Sequence, residues 1–376
     1  MHPPQLCIVA RPMSRSSGRA LATIFGIAAI SVASLVSFGC EELDGRSRTR
    51  SGNRAFRETR FIDALAEYEK ALTTVKDPII HYNLALAYSK VFKPGVSKPV
   101  RLGLAGSAAC TSIPQTNPEA ARVCVKSGDT RFDDCDDKDV CASSYRCEQV
   151  SLCTLTGSQL AERAANAFQV WLKANPKDDD TRKQMTQVWL DSENYKAAID
   201  YWTALLTDKP NDPEVMGALA GINLKAGDWR TSIQWYVKVA EVATDPANKI
   251  AAFQFIGNVA WSKLNSKSLS AAESIELADR GIGALQKAAE LSPKNPKLFG
   301  LQASLYNFRA LSHGGSLAAA IERASAQDLQ RTSRVLADEA KKAQGVTAPA
   351  AGGPAGAVPA TTPPPVSGGP AEKAGG

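Results

Sequence analysis

Between residues 158 and 243 the chain repeats one arrangement of small, bulky and helix-breaking residues every 34 positions. Tyr195, Ala198, Trp202, Leu205 and Pro210 are followed at matching offsets by Trp229, Ser232, Tyr236 and Val239, and preceded by Ala164, Phe168, Trp171 and Pro176. Steps of three and four residues place these side chains on one helix face. A fixed period of this length predicts a stack of helix pairs. Each pair has an apolar face too wide to leave in water, and only a neighbouring pair covers it. The small residues Ala164, Ala198 and Ser232 let two helices approach, while the aromatics fill the gap to the next pair.

The template continues to both sides. A first repeat is read from Gly52, Asn53, Phe61, Ala64, Tyr68 and Ala71, with Arg48 and Ser51 where apolar residues are expected. After Asp77-Pro78, Tyr82, Asn83, Leu84, Ala85 and Tyr88 open a second repeat that stops at Lys93-Pro94-Gly95. Proline cannot continue a helix interior without losing a hydrogen bond. The next match to the missing partner helix is residues 159–174, so 94–157 is expected to be a separate module looped out between two helices of one repeat. Repeat three opens at Thr181–Trp189 and repeat four at Pro213. Repeat five runs from Phe253 to Pro293 with about a dozen extra residues around 264–275, and a sixth opening helix follows Pro296 with Phe299, Ala303 and Tyr306. The stretch 316–344 is expected to close the array, with Glu322, Arg323, Gln327, Arg331, Glu339, Lys341 and Lys342 on a polar outer face, as a capping helix requires. Residues 345–376 are nearly all Ala, Pro, Gly, Thr, Val and Ser, and are expected to form a disordered tail because they cannot bury enough apolar area to offset chain entropy.

The spacing and these packing residues resemble the tetratricopeptide-repeat (TPR) family over about 45–93 and 158–344. The resemblance implies an all-α fold: a TPR α-solenoid of five to six helix pairs with a disulfide-rich insertion inside repeat two. It further implies a concave groove lined by the first helix of each repeat, which receives an extended or helical peptide. The matching positions are Tyr82, Leu86, Lys90, Lys183, Gln187, Glu214, Lys225, Gln254, Asn258 and Trp261. The two-lysine, two-asparagine clamp that some TPR domains use for C-terminal carboxylates is not reproduced. Trp171, Trp189, Trp202 and Trp229 fall on packing positions, and Trp235 and Trp261 on more exposed ones. The domains read as 1–39 signal peptide, 40–47 tether, 48–93 first repeat and opening helix of the second, 94–157 insert, 158–344 remaining repeats and cap, and 345–376 tail.

Arg11, Arg15 and Arg19 precede an apolar run from Ala20 to Phe38. A basic flank, a short apolar run and a small residue at the cleavage position are the parts of a secretory signal peptide. Met13 is the alternative start to Met1. Ser37-Phe38-Gly39-Cys40 resembles a bacterial lipobox through Gly39 and Cys40, which implies a diacylglyceryl group on Cys40 and a bacterial cell-envelope location, periplasmic face, at the outer membrane. Simple secretion and an uncleaved anchor are the alternatives. Without the three leader arginines, 41 basic residues face 38 acidic ones. That balance gives no concentrated basic face, so nucleic acid is not an expected partner. The expected partners are unidentified envelope proteins, with the membrane reached through the lipid.

Cys110, Cys124, Cys135, Cys141, Cys147 and Cys153 lie within 44 residues. An even, clustered set in an exported chain predicts a disulfide framework, and six cysteines allow 15 pairings. With no C-x2-C pair and no histidine in the segment, a metal site is the lesser reading. Asp129, Asp133, Asp134, Asp136, Asp137 and Asp139 form an acidic loop. Calcium takes such oxygens, but the mid-loop glycine and terminal glutamate of an EF-hand are missing, so a solvated acidic surface is the favoured reading. No cofactor is expected. The only histidines are His2, His81 and His313, and no nucleophile-elbow, P-loop, zincin or dinucleotide fingerprint occurs. The chain therefore reads as a non-enzymatic envelope scaffold or assembly factor. The alternative is a glycan or cell-wall binder whose insert recognises the polymer.

Overall fold

A computed structural model describes residues 42–126, 132–136, 138, 140–142 and 144–343. Cys40, Asp129, Asp137, Asp139 and the tail lie outside the described residues. The chain divides into two compact units, Met1–Val242 and Ala243–Gly376. In the first, α1 (42–57), α2 (Phe61–Leu72) and α3 (Pro78–Val91) lead into β1 (Val100–Leu104), α4 (Ala108–Ser112), β2 (Asn117–Val125) and β3 (Arg146–Leu155). Then follow α5 (Gly157–Ala174), α6 (Asp179–Asp191), α7 (Tyr195–Asp208), α8 (Pro213–Lys225) and α9 (Trp229–Val242). The second unit holds α10 (Pro246–Asn265), α11 (Ala271–Leu291), α12 (Pro296–Ser312) and α13 (Leu317–Ala343).

The helix boundaries follow from local chemistry. Asp77, Asp212, Asp245 and Asn295 each cap a first helix by accepting a backbone N–H, with proline at the next position. An Asx side chain satisfies an orphan donor there, and proline's missing N–H costs nothing in the first turn. Helix pairs then turn through a left-handed residue five positions before the small packing residue: Thr59, Glu193 and Gly227 have φ of 59°, 57° and 90°. The small residues Ala64, Ala164, Ala198 and Ser232 are each 0 % exposed, so the contact leaves no room for a larger side chain. A Cβ on Gly52 would stand 2.6 Å from the Tyr68 ring, and one on Gly281 would stand 2.7 Å from the Ala260 Cβ. Both glycines are set by close helix packing. The fold of each unit is thus a stack of TPR-type helix pairs. Repeat two is split: α3 packs on α5 across the insert, with the Tyr82 ring 5.2 Å from Trp171 and 6.2 Å from Phe168. In repeat five the extra residues lengthen both α10 and α11, which run to 20 and 21 residues.

Four expectations change. The insert is a three-stranded antiparallel sheet in the order β1-β3-β2, which an all-helical reading did not contain. It is also not fully looped out. Leu102, Ile113, Cys153 and Leu155 are buried in the same core as Tyr88 and Leu160, and α4 packs on α2. Only the distal part, beyond Cys124, stands clear of that core. Residues 42–47, expected as a tether, are the first turns of α1. Arg46 and Arg48 pair with Glu42 and Asp44 one turn back, and Gly45 is buried beside Thr74 and Val75, just after α2. Finally, Glu322 is not on the outer face of α13. It shares the inward stripe of Ala319 and Ala326, and its Oε1 lies 2.9 Å from Arg309 Nε and 3.5 Å from His313 Nε2. Arg309 comes from α12 and His313 from the residue that caps it, which the sequence of α13 does not reveal.

Candidate interaction surfaces

The first helices divide the groove positions into two classes. Tyr82 and Leu86 on α3 are half-buried against the core, so their side chains are committed to packing. Lys90, Lys183, Glu214 and Lys225 are exposed on α3, α6 and α8. Gln187 is exposed and donates to Asp191 Oδ1 at 2.6 Å. In the second unit, Asn258 on α10 is exposed, while Gln254 and Trp261 are half-buried. Sequence reasoning passed over Gly217 and Gly221 of α8, one turn apart, whose added Cβ atoms would meet nothing within 4 Å. Neither packing nor a positive φ requires these glycines, and their signal was the unexplained pair in a helix where glycine costs about 1 kcal/mol against alanine.

The tryptophans serve the interior. Trp171 Nε1 donates to Asp178, the cap of α6, at 2.8 Å, and Trp202 Nε1 donates to Thr186 at 2.9 Å. Trp189 and Trp229 are buried. Trp235 is half-buried with the Lys238 ammonium 4.2 Å from its ring. His81 is half-buried on α3, and burial lowers its pKa.

A polar triad holds the insert to the array. Tyr88 donates to Glu69 Oε1 at 2.6 Å, and the Arg163 guanidinium reaches both the Tyr88 hydroxyl at 3.4 Å and the Pro114 carbonyl at 2.6 Å. Burial pushes the Glu69 carboxyl up, against the opposing pull of Tyr88 and Arg163. Burial likewise raises the Tyr88 phenol.

The six cysteines pair as Cys110–Cys153, Cys124–Cys141 and Cys135–Cys147. Of the acidic loop, Asp134 pairs with Lys98 and Arg101, which hold its carboxyl below the usual range. Asp136 accepts the Lys138 and Val140 N–H groups at 3.0 and 2.6 Å. Asp133 is exposed, and its backbone carbonyl accepts the Cys124 N–H. Two of the three described calcium candidates are therefore occupied by the protein's own donors. Among the described residues, no helix is long and apolar enough to cross a membrane.

No protein-family model matches the chain, and no curated protein matches it. Among solved structures it is similar to MamA, at 17 % identity and a TM-score of 0.32 over 51 % of this chain and 89 % of that one. MamA 41-end from Desulfovibrio magneticus RS-1 gives 20 % identity and 0.30 over 46 % and 88 %. A TPR repeats protein from Bacteroides fragilis gives 14 % identity and 0.37 over 70 % and 97 %. The fold assignment is carried by the helix-pair packing described above.

Proposed function

We propose that this chain is a non-enzymatic scaffold that binds protein partners of the bacterial cell envelope, tethered to the membrane through lipid on Cys40. The observation that carries the reading is the division of labour along the first unit. The aromatic residues and the small residues of the repeat are used up in packing, whereas Lys90, Lys183, Glu214 and Lys225 on the first helices have exposed side chains. Cation and carboxylate side chains displayed at intervals on a rigid helical stack suit recognition of a peptide segment of mixed charge. The start of α1 at residue 42 would leave almost no linker after a lipidated Cys40, so the first repeat would sit against the membrane surface.

The test is a pull-down from detergent-solubilised envelopes with three forms of the full chain. Lys183→Glu/Lys225→Glu should lose the partner that the parent form retains. A form in which a two-residue turn replaces 126–145 removes the distal insert and keeps the buried base. If the charge-reversed form keeps every partner and the trimmed form loses them, the binding surface is the insert. If trimming instead abolishes binding to cell-wall polymer, the glycan reading replaces this one.

A further inference from the structure

The distal insert brings four cysteines together in a way that its disulfide pairing alone does not explain. Register sets Cys124 of β2 directly opposite Cys147 of β3. Opposed residues of an antiparallel ladder point to the same face with Cα atoms about 4.5–5.5 Å apart. These two are nevertheless bonded to loop residues, Cys124 to Cys141 and Cys147 to Cys135. The loop is pinned onto β2 by its backbone: Cys124 N–H donates to the Asp133 carbonyl at 2.8 Å and Cys135 N–H to the Arg122 carbonyl at 3.2 Å. The sulfurs of Cys124, Cys135 and Cys141 consequently lie within 4.8 Å of one another. The Cys147 sulfur is 2.02 Å from that of Cys135.

We propose that this cluster is a redox-gated tetrathiolate site for a divalent cation of zinc type. In the oxidised chain the four sulfurs form two disulfides. A dithiol reductant delivers two electrons and two protons to each, so that two dithiols become cyclic disulfides and four cysteine thiols are released. One zinc ion then displaces the four thiol protons and takes four thiolate ligands. Zn–S bonds of about 2.3 Å set tetrahedral S···S edges of roughly 3.8 Å. The Cys135 sulfur already lies within 4.8 Å of those of Cys124 and Cys141 across the two disulfides, and reduction frees each bonded pair to open. Oxygen ligands do not compete at Asp134 and Asp136, which are held by Lys98, Arg101 and backbone N–H groups.

The physical need for such a site is local. No described residue from Val125 to Ser151 is buried, so the described residues at this end of the insert form no apolar core of their own. Beyond the β2–β3 ladder its order comes from cross-links, and a coordinated metal supplies the same constraint when the disulfides are open. The third disulfide, Cys110–Cys153, sits apart at the insert's base, where Cys153 is buried in the shared core.

The experiment reduces the full chain with a phosphine, which becomes the phosphine oxide, removes the reductant without air, and titrates Co2+ and then Zn2+. The expected result is one cobalt per reduced chain, with the visible absorption of a tetrahedral thiolate centre, displaced by one equivalent of zinc. The oxidised chain should bind none. Cys110→Ser/Cys153→Ser should keep the signal, and Cys124→Ser/Cys135→Ser should abolish it. Far-ultraviolet circular dichroism reports that the helices stay folded in each variant. A reduced, helical parent chain that takes up no cobalt overturns the proposal. So does a tetrathiolate spectrum that survives in Cys124→Ser/Cys135→Ser.

Discussion

The indole N–H of Trp202 donates to the hydroxyl of Thr186 at 2.9 Å, with both side chains buried between the two helices of repeat three. At the position Thr186 occupies, the other repeats place Gly52, Ala85, Ala220 and Gly257, so a polar pair stands where the rest of the array uses a small residue. The hydroxyl is there because tryptophan brings a donor into the interior. Thr186→Ala should therefore leave a buried N–H without a partner and cost about 1–3 kcal/mol. Pairing it with Trp202→Phe should recover much of the loss, since both polar groups then leave together. Urea unfolding of the two single variants and the double variant measures this. Equal, additive losses would show that the hydrogen bond contributes nothing.

Ser232 presents the opposite case. It occupies the same small-residue position as Ala164 and Ala198, is fully buried, and its Oγ has no hydrogen-bond partner among the described residues. A hydroxyl desolvated without compensation is a cost. Ser232→Ala should raise stability by about 1 kcal/mol, read as a higher urea midpoint with an unchanged slope. A lower midpoint would contradict this account of the α8–α9 contact.

Glu69 makes the stability of the first unit depend on pH. Its folded pKa is raised above the ordinary 4.5, chiefly by burial. A raised folded pKa means the native state holds the proton more tightly than the unfolded chain. The contribution is fully present below the unfolded value and is lost as pH rises through the folded one. Starting near pH 4.5 and moving up, the parent chain should lose stability relative to Glu69→Gln, which keeps an uncharged acceptor for Tyr88. Urea midpoints of the two chains across that interval should diverge in favour of the variant. A constant difference would mean that Glu69 titrates alike in both states.

How much of this was legible in the sequence depended on whether a feature was local. The helix pairs were, because the 34-residue spacing of Ala164, Ala198 and Ser232 and the Asp-Pro caps are written along the chain. The split of repeat two was also legible, since Pro94 stops α3 and Phe168 and Trp171 supply its missing partner. The strands of the insert were obscured by cysteines, whose cross-links were expected to do the work that the β1-β3-β2 ladder shares. The burial of Leu102 and Ile113 under the repeats depends on contacts with distant residues such as Leu160. Glu322 looked like surface because its partners Arg309 and His313 come from α12 and the residue that caps it. Among the positions that the TPR resemblance suggested for a groove, Lys90, Lys183 and Lys225 are exposed and Tyr82 is half-buried. The resemblance gave no hint that Tyr82 would turn into the cluster with Phe168 and Trp171.

The most direct test of the scaffold reading is amine-reactive crosslinking of intact cells followed by mass spectrometry. The first unit carries its own internal comparison: Lys90, Lys183 and Lys225 are exposed on first helices, and Lys173, Lys196 and Lys238 are exposed on second helices. The account predicts links to another envelope protein concentrated on the first set, and their loss in Lys183→Glu/Lys225→Glu through the untouched Lys90. Links to other proteins spread over the second-helix lysines, or none beyond the chain itself, would contradict it.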